Sequence, residues 1–119
     1  MKANELMIGD WIEPHQCRIP TVYARVEGIY PDGITIDKAE RVFSFDEIHP
    51  IPLTPEILEK NGFSDESRHC HGEPLRYCVL VDGLWIDING KNYFEGKLEY
   101  VHQLQHALRI CGIEKEIEL

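Results

Sequence analysis

The stretch TVYARVEGIYPDGITID, residues 21–37, decides how the first half of the chain is read. Val22, Ala24 and Val26 alternate with more polar neighbours, Pro31-Asp32-Gly33 is turn chemistry, and Ile34 and Ile36 resume the alternation. A period of two, interrupted by residues that favour reversal, is the pattern of a β-hairpin. Further on, RVFSFDEI (residues 41–48) reads as another strand, with Val42 on the face opposite Phe43 and Phe45. In HPIPL, which follows, Pro50 and Pro52 remove two backbone donors and confine the segment to a sheet edge or a barrel-closing position. So many short strands in so short a span suit a small barrel, because closure hides edges that a narrow sheet leaves open.

Outward from this region the pattern changes. Thr54-Pro55 is a helix start, a hydroxyl that can cap free donors followed by a proline whose missing N–H is harmless in the first turn. The helix is short, with Gly62 placed to end it and Phe63 placed to fold back onto Ile57 or Leu58, and it reads as the joint between the two halves. SDESRHCHGEP, residues 64–74, is a polar loop by composition. RYCVLVDG, LWIDING and NYFEGKLEY come next, broken at Asp82-Gly83 and Asn89-Gly90. Two Asx-Gly pairs between apolar runs predict a three-stranded antiparallel meander. One face of it is expected to carry Cys78, Leu80, Trp85 or its neighbours, and Tyr93, with the register left open by the sequence.

YVHQLQHALRICG, residues 100–112, has helical periodicity. On a wheel centred on Leu104, the residues Tyr100, Val101, Ala107, Leu108 and Cys111 fall within about 60 degrees, a stripe wide enough to bury. Gly112 stands where a helix-ending glycine belongs, and IEKEIEL after it alternates as a short final strand or a frayed tail would.

The 119 residues, 43% of them hydrophobic, suffice for one ordinary domain or two small modules. No run approaches the roughly 18 apolar residues of a membrane span, and MKANELMIGDWIEP lacks the hydrophobic region of a signal peptide. The expectation is a soluble, cytoplasmic protein. Net charge is −9, with five Lys/Arg against nine Asp/Glu in residues 1–53 and seven against twelve in residues 54–119. A chain with no basic cluster lacks the phosphate-neutralising surface that drives nucleic-acid affinity, so a nucleic-acid-binding barrel is a minor alternative.

Two clusters invite a chemical reading. His102 and His106 have the spacing at which one helix face can chelate a metal, yet the wheel puts both opposite the apolar stripe, and zinc takes three or four protein ligands. The intervening Gln103, Leu104 and Gln105 also rule out the HExxH pattern. The second cluster is His69-Cys70-His71, with Cys17 or Cys78 as completing zinc ligands; its spacing matches no standard finger, and its bland reading is a polar loop. A thiol nucleophile needs a histidine base held in hydrogen-bond geometry by a third group, which adjacency along a loop does not supply. Gly83, Gly90 and Gly96 punctuate hairpins and form no phosphate loop. No cofactor and no enzymatic activity are therefore expected.

ELMIGDWI, DEIHPIPLTPEILEKNGF and YVHQLQ, in this order, resemble a family of small proteins from phage and other mobile elements of gut anaerobic bacteria. The resemblance spans nearly the whole chain, and its most specific elements are PIPLT, LEKNGF and YVHQLQ. It implies a biological setting and no mechanism. The last element includes His102, Gln103 and Gln105 but stops before His106, so it does not call for a histidine pair. A polar trio that the core stripe leaves unexplained implies a second contact surface.

The expected architecture is α+β and mainly β. An SH3-like small barrel occupies residues 1–53, and residues 54–119 hold the joining helix, the meander and a covering helix. The expected function is a non-enzymatic module that binds another protein through the barrel or through His102, Gln103, Gln105 and His106. A zinc protein built on His69-Cys70-His71 is the rival reading, and self-association is left open.

Overall fold

A computed structural model describes residues 1–14, 23–37, 39–65, 75–80, 83–88, 91–93 and 98–119. The chain is α+β, mainly β, and divides into two compact units, Met1–Ile51 and Pro52–Leu119. No helix among the described residues is long and apolar enough to cross a membrane.

In the first unit, β1 (Trp11–Pro14), β2 (Ala24–Tyr30), β3 (Gly33–Ile36), β4 (Ala39–Phe43) and β5 (Ile48–His49) form one antiparallel sheet in the order β4-β3-β2-β1-β5. The predicted hairpin is β2–β3, with Tyr30 opposite Gly33 across the Pro31-Asp32 turn. Its alternation holds as far as Val26 and then slips. Val26 pairs with Ile36 but Gly28 pairs with Thr35, so β2 carries one extra residue, a bulge that moves the inward positions from even to odd numbers. Ala24 and Val26 are buried before the bulge, and Ile29 packs on the core after it. Leu6, Ile12, Ala24, Val26, Ile34, Ile36, Phe43 and Ile48 make up that core. Each large aliphatic side chain fully buried there contributes about 1.5–3 kcal/mol. Gly33 is required by close approach, since a Cβ at this position would stand 2.1 Å from the carbonyl oxygen of Phe43.

One strand ends earlier than the apolar pattern predicts. RVFSFDEI breaks after Phe43, and Phe45–Glu47 is a turn of 3-10 helix. Glu47 Oε1 accepts from the backbone N–H of Ser44 at 3.2 Å and from its hydroxyl at 3.2 Å, the Ser-x-x-Glu capping arrangement that competes with a ladder. Val42 is exposed and Phe43 buried, as alternation requires, but Phe45 reaches the core from the turn. The two-residue β5 lies at the sheet edge, where the prolines after it confine it.

In the second unit, α1 (Pro55–Lys60) begins as its sequence predicts, with the Thr54 hydroxyl accepting from the N–H of Ile57 at 3.3 Å. It ends on Gly62 with φ of 86°, and the N–H of Phe63 bonds to the carbonyl of Leu58 at 3.0 Å while Gly62 bonds to Glu59. The same paired closure recurs at the end of α2 (Val101–Ile110). There Gly112 has φ of 75°, Ile113 bonds back to Leu108 at 2.9 Å and Gly112 to Arg109 at 3.0 Å. In α1 the Tyr77 hydroxyl donates to Glu59 at 2.7 Å, tying the helix to the sheet of its own unit.

The predicted meander is present as β7 (Leu75–Leu80), β8 (Gly83–Ile88) and β9 (Lys91–Tyr93), all antiparallel. A short strand at the start of the expected loop, β6 (Ser64–Asp65), adds to it in parallel beside β7. The register corrects the expected face. Cys78 pairs with Trp85, but Tyr93 pairs with Ile86 and so belongs to the other set of positions. That set holds the buried Tyr77, Ile86 and Ile88, with Val79 exposed toward the end of β7, whereas Cys78 and Trp85 are half-buried. Within the Cys78 set, Arg76 pairs with Asp87 across the strands and forms an ion pair with it, Asp87 being 2% exposed.

Residues 113–119 form neither the strand nor the frayed tail of the sequence reading: they carry no regular structure, yet Ile117 is 1% exposed.

Candidate functional site

The last helix was expected to show His102 and His106 on its outer face. Its stripe is correct, with Val101, Leu104, Ala107 and Leu108 buried, but His102 is buried as well, at 4% exposure. The wheel fails here because it treats the helix as touching one neighbour, whereas burial depends on everything that surrounds it. The His102 ring stacks on Tyr100, with centroids 6.0 Å apart and planes inclined at 15°. His106, half-buried, meets it edge-on at 5.6 Å. Gln103 has a structural duty. Its Oε1 accepts from the backbone N–H of Glu99 at 2.7 Å and of Tyr100 at 3.1 Å, satisfying donors at the helix start. Gln105 is half-buried. Aromatic stacking and capping thus account for His102 and Gln103, two of the three polar residues that the apolar stripe left unexplained.

Of the zinc candidates, Cys17, His69, Cys70 and His71 lie outside the described residues. Cys78 is half-buried on β7, and Cys111, also half-buried, lies just after α2. Among the described residues no group of three or more His, Cys, Asp and Glu is arranged to hold a metal ion.

The feature that sequence reading passed over lies in the first unit, at Met7-Ile8-Gly9-Asp10. The N–H of Asp10 bonds to the carbonyl of Met7 at 3.1 Å, and Gly9 takes φ of 93°, which closes a tight turn. Asp10 Oδ2 accepts from the N–H of Met7 at 2.8 Å, and the side chain is fully buried. On the sheet side, Gly9 N–H bonds to the carbonyl of Val26 at 2.8 Å and Val26 N–H to that of Asp10 at 2.9 Å. A hydrogen bond to a charged acceptor contributes roughly 1.5–3 kcal/mol, enough to hold one turn geometry. What this turn presents is apolar: Ile8 is 62% and Met7 43% exposed. The Gly-Asp pair just ahead of the alternating strand was the available signal, since glycine permits the left-handed position and aspartate closes turns locally.

Beside the turn, the guanidinium of Arg25 lies 4.6 Å above the ring of Trp11, its partner across the β1–β2 ladder. The backbone N–H of Arg25 bonds to Asp37 at 3.0 Å. The first unit therefore carries a positioned aromatic and cationic pair, Trp11 directly after the apolar turn and Arg25 across the ladder from it. No protein-family model matches the chain, and no curated protein or solved structure is detectably similar to it.

Proposed function

We propose that the chain is a non-enzymatic protein–protein interaction module, and that the turn at Met7 and Ile8 is its contact point. The observation that carries this reading is a fully buried aspartate holding a turn whose two foremost side chains are exposed and apolar. A turn whose backbone is already held loses little backbone freedom on association, and a few central, well-packed side chains carry most of an interface's energy. An acidic chain favours a partner surface that is neutral or basic at its rim.

The small-barrel reading of the first unit draws support from the strand order, in which β5 returns beside β1 after a 3-10 turn. The mobile-element setting rests on the sequence resemblance alone. The test is affinity capture from the native host with wild type and with a Met7→Asp/Ile8→Asp variant. We expect a protein retained by wild type and lost with the variant, while the melting temperature moves little, as for exposed substitutions generally. Capture of an identical set by both, or turnover in an unbiased substrate screen, would overturn the proposal.

A further inference from the structure

Asn61 is a buried amide, 4% exposed, placed directly after α1. Its Oδ1 accepts from the backbone N–H of Glu118 at 2.7 Å, and its Nδ2 donates to the carbonyl of the same residue at 2.8 Å. Nδ2 donates also to the carbonyl of Ile57 at 2.8 Å, which orients the amide from within the helix. A side-chain carboxamide that bonds both polar backbone groups of one residue does what a neighbouring strand would do, and it reads the peptide backbone whatever the side chain there. Sequence selectivity comes from the neighbour, Ile117, which is 1% exposed between the exposed Glu116 and Glu118.

The receiving half is built independently of the segment it receives. Asn61 is held by its own N–H, which bonds to the carbonyls of Ile57 and Leu58 at 3.2 and 3.1 Å, and by the helix closure at Gly62. The delivering half is joined to α2 through Gly112, an exposed glycine with positive φ at which a Cβ would meet nothing within 4 Å. A change of direction at Gly112 meets no steric obstacle there and gives up the closing bond of Ile113 to Leu108.

We propose that the Asn61 seat is exchangeable: residues 113–119 of a second copy can occupy it in place of the chain's own, giving a dimer by segment exchange. Identical receiving and delivering halves on each copy make the exchange symmetric and closed. A tethered segment competes at an effective concentration on the order of millimolar, so the wild-type chain is monomeric at micromolar concentrations and exchanges when its own seat or segment is disabled. The inference goes beyond the interaction reading above and uses none of its residues.

The experiment mixes two full-length variants. Ile117→Asp spoils the segment and leaves the seat, and Asn61→Ala spoils the seat and leaves the segment. Each is expected to sediment as a monomer alone, and the mixture at about 100 µM to give a 1:1 complex, absent when both partners carry both substitutions. Ile8→Asp in either partner leaves the complex unchanged, which separates this outcome from failure of the interaction reading. Folded variants, by circular dichroism, that remain monomeric on mixing overturn the proposal. Should either variant not fold, wild type is titrated with a labelled peptide of residues 113–119. Saturable binding with a Kd at or below about 100 µM, well under the effective concentration of the tethered segment, and at least tenfold weaker for the peptide bearing Ile117→Asp, is expected, and binding that is absent or indifferent to Ile117 overturns it.

Discussion

The two units of this chain bury polar groups in different ways. Among the described residues of the Met1–Ile51 unit the buried polar side chain is Asp10, and the bond described for it closes a turn onto a residue three positions away. In the Pro52–Leu119 unit Asn61, Asp87 and His102 are buried, and Asn61 reaches a residue 57 positions away. A local bond can form as soon as its turn forms, while a distant one requires the intervening chain to be folded first. The buried aspartate of the first unit thus fixes a local turn, although β1 also pairs with the distant β5, and the buried asparagine of the second joins two distant stretches of chain.

Four changes would sharpen or break this contrast, read by hydrogen exchange resolved along the chain together with thermal melting. The largest effect is expected from Gly33→Ala, whose Cβ meets the Phe43 carbonyl at 2.1 Å and must push backbone apart. A loss of about 3 kcal/mol or more, with protection falling in β2 to β4, is the expected result. Protection falling equally in α2 would show that the units melt as one and would break the comparison. Next is Asn61→Ala, which leaves both backbone groups of Glu118 without this partner and is expected to cost about 2–3 kcal/mol in the second unit. Unchanged exchange at residues 113–119 would show that Asn61 does not hold this segment in place.

A smaller effect, about 1 kcal/mol, is expected when Thr54→Ala removes the cap of α1, with Thr54→Ser restoring most of it. The smallest concerns Glu47. The Arg41 guanidinium, bonded at 2.8 Å, and then the Ser44 N–H hold its carboxyl below the ordinary carboxylate range. A depressed folded value means that this contribution is present above the unfolded carboxylate's pKa and is lost as pH falls through the folded one. Glu47→Gln should slightly flatten the acid limb of the first unit's stability curve and leave the second unit's alone; because the pair is solvent-exposed, 0.5 M salt should shrink the difference further.

Much of the fold could be read in advance. The β2–β3 hairpin, the caps at Thr54, Gly62 and Gly112, the meander and the buried stripe of α2 all follow from periodicity and turn chemistry, which act over a few residues. The errors share one cause. The 3-10 turn at Phe45–Glu47 was marked by Ser44 and Glu47, but a strong apolar alternation masked the capping signal. The face of Tyr93 turned on a register that no single strand contains. At the last helix the structure corrects the facing of one residue. His102, taken as outward-facing, is buried, and Gln103 caps the helix, while the Met7–Asp10 turn passed as the ordinary start of a barrel.

By itself, then, the sequence determined the β2–β3 hairpin, the meander and the ends of the two helices, because those choices are settled by turn chemistry, capping groups and the side-chain period. It also determined the acid excess, which disfavours a nucleic-acid partner. Only the tertiary structure decided that Asp10 would be buried beneath an exposed apolar turn, that His102 would face inward, and that Asn61 would hold the backbone of Glu118. Burial and pairing across 57 residues are properties of the packed chain, in which the identity of a neighbour depends on every intervening turn.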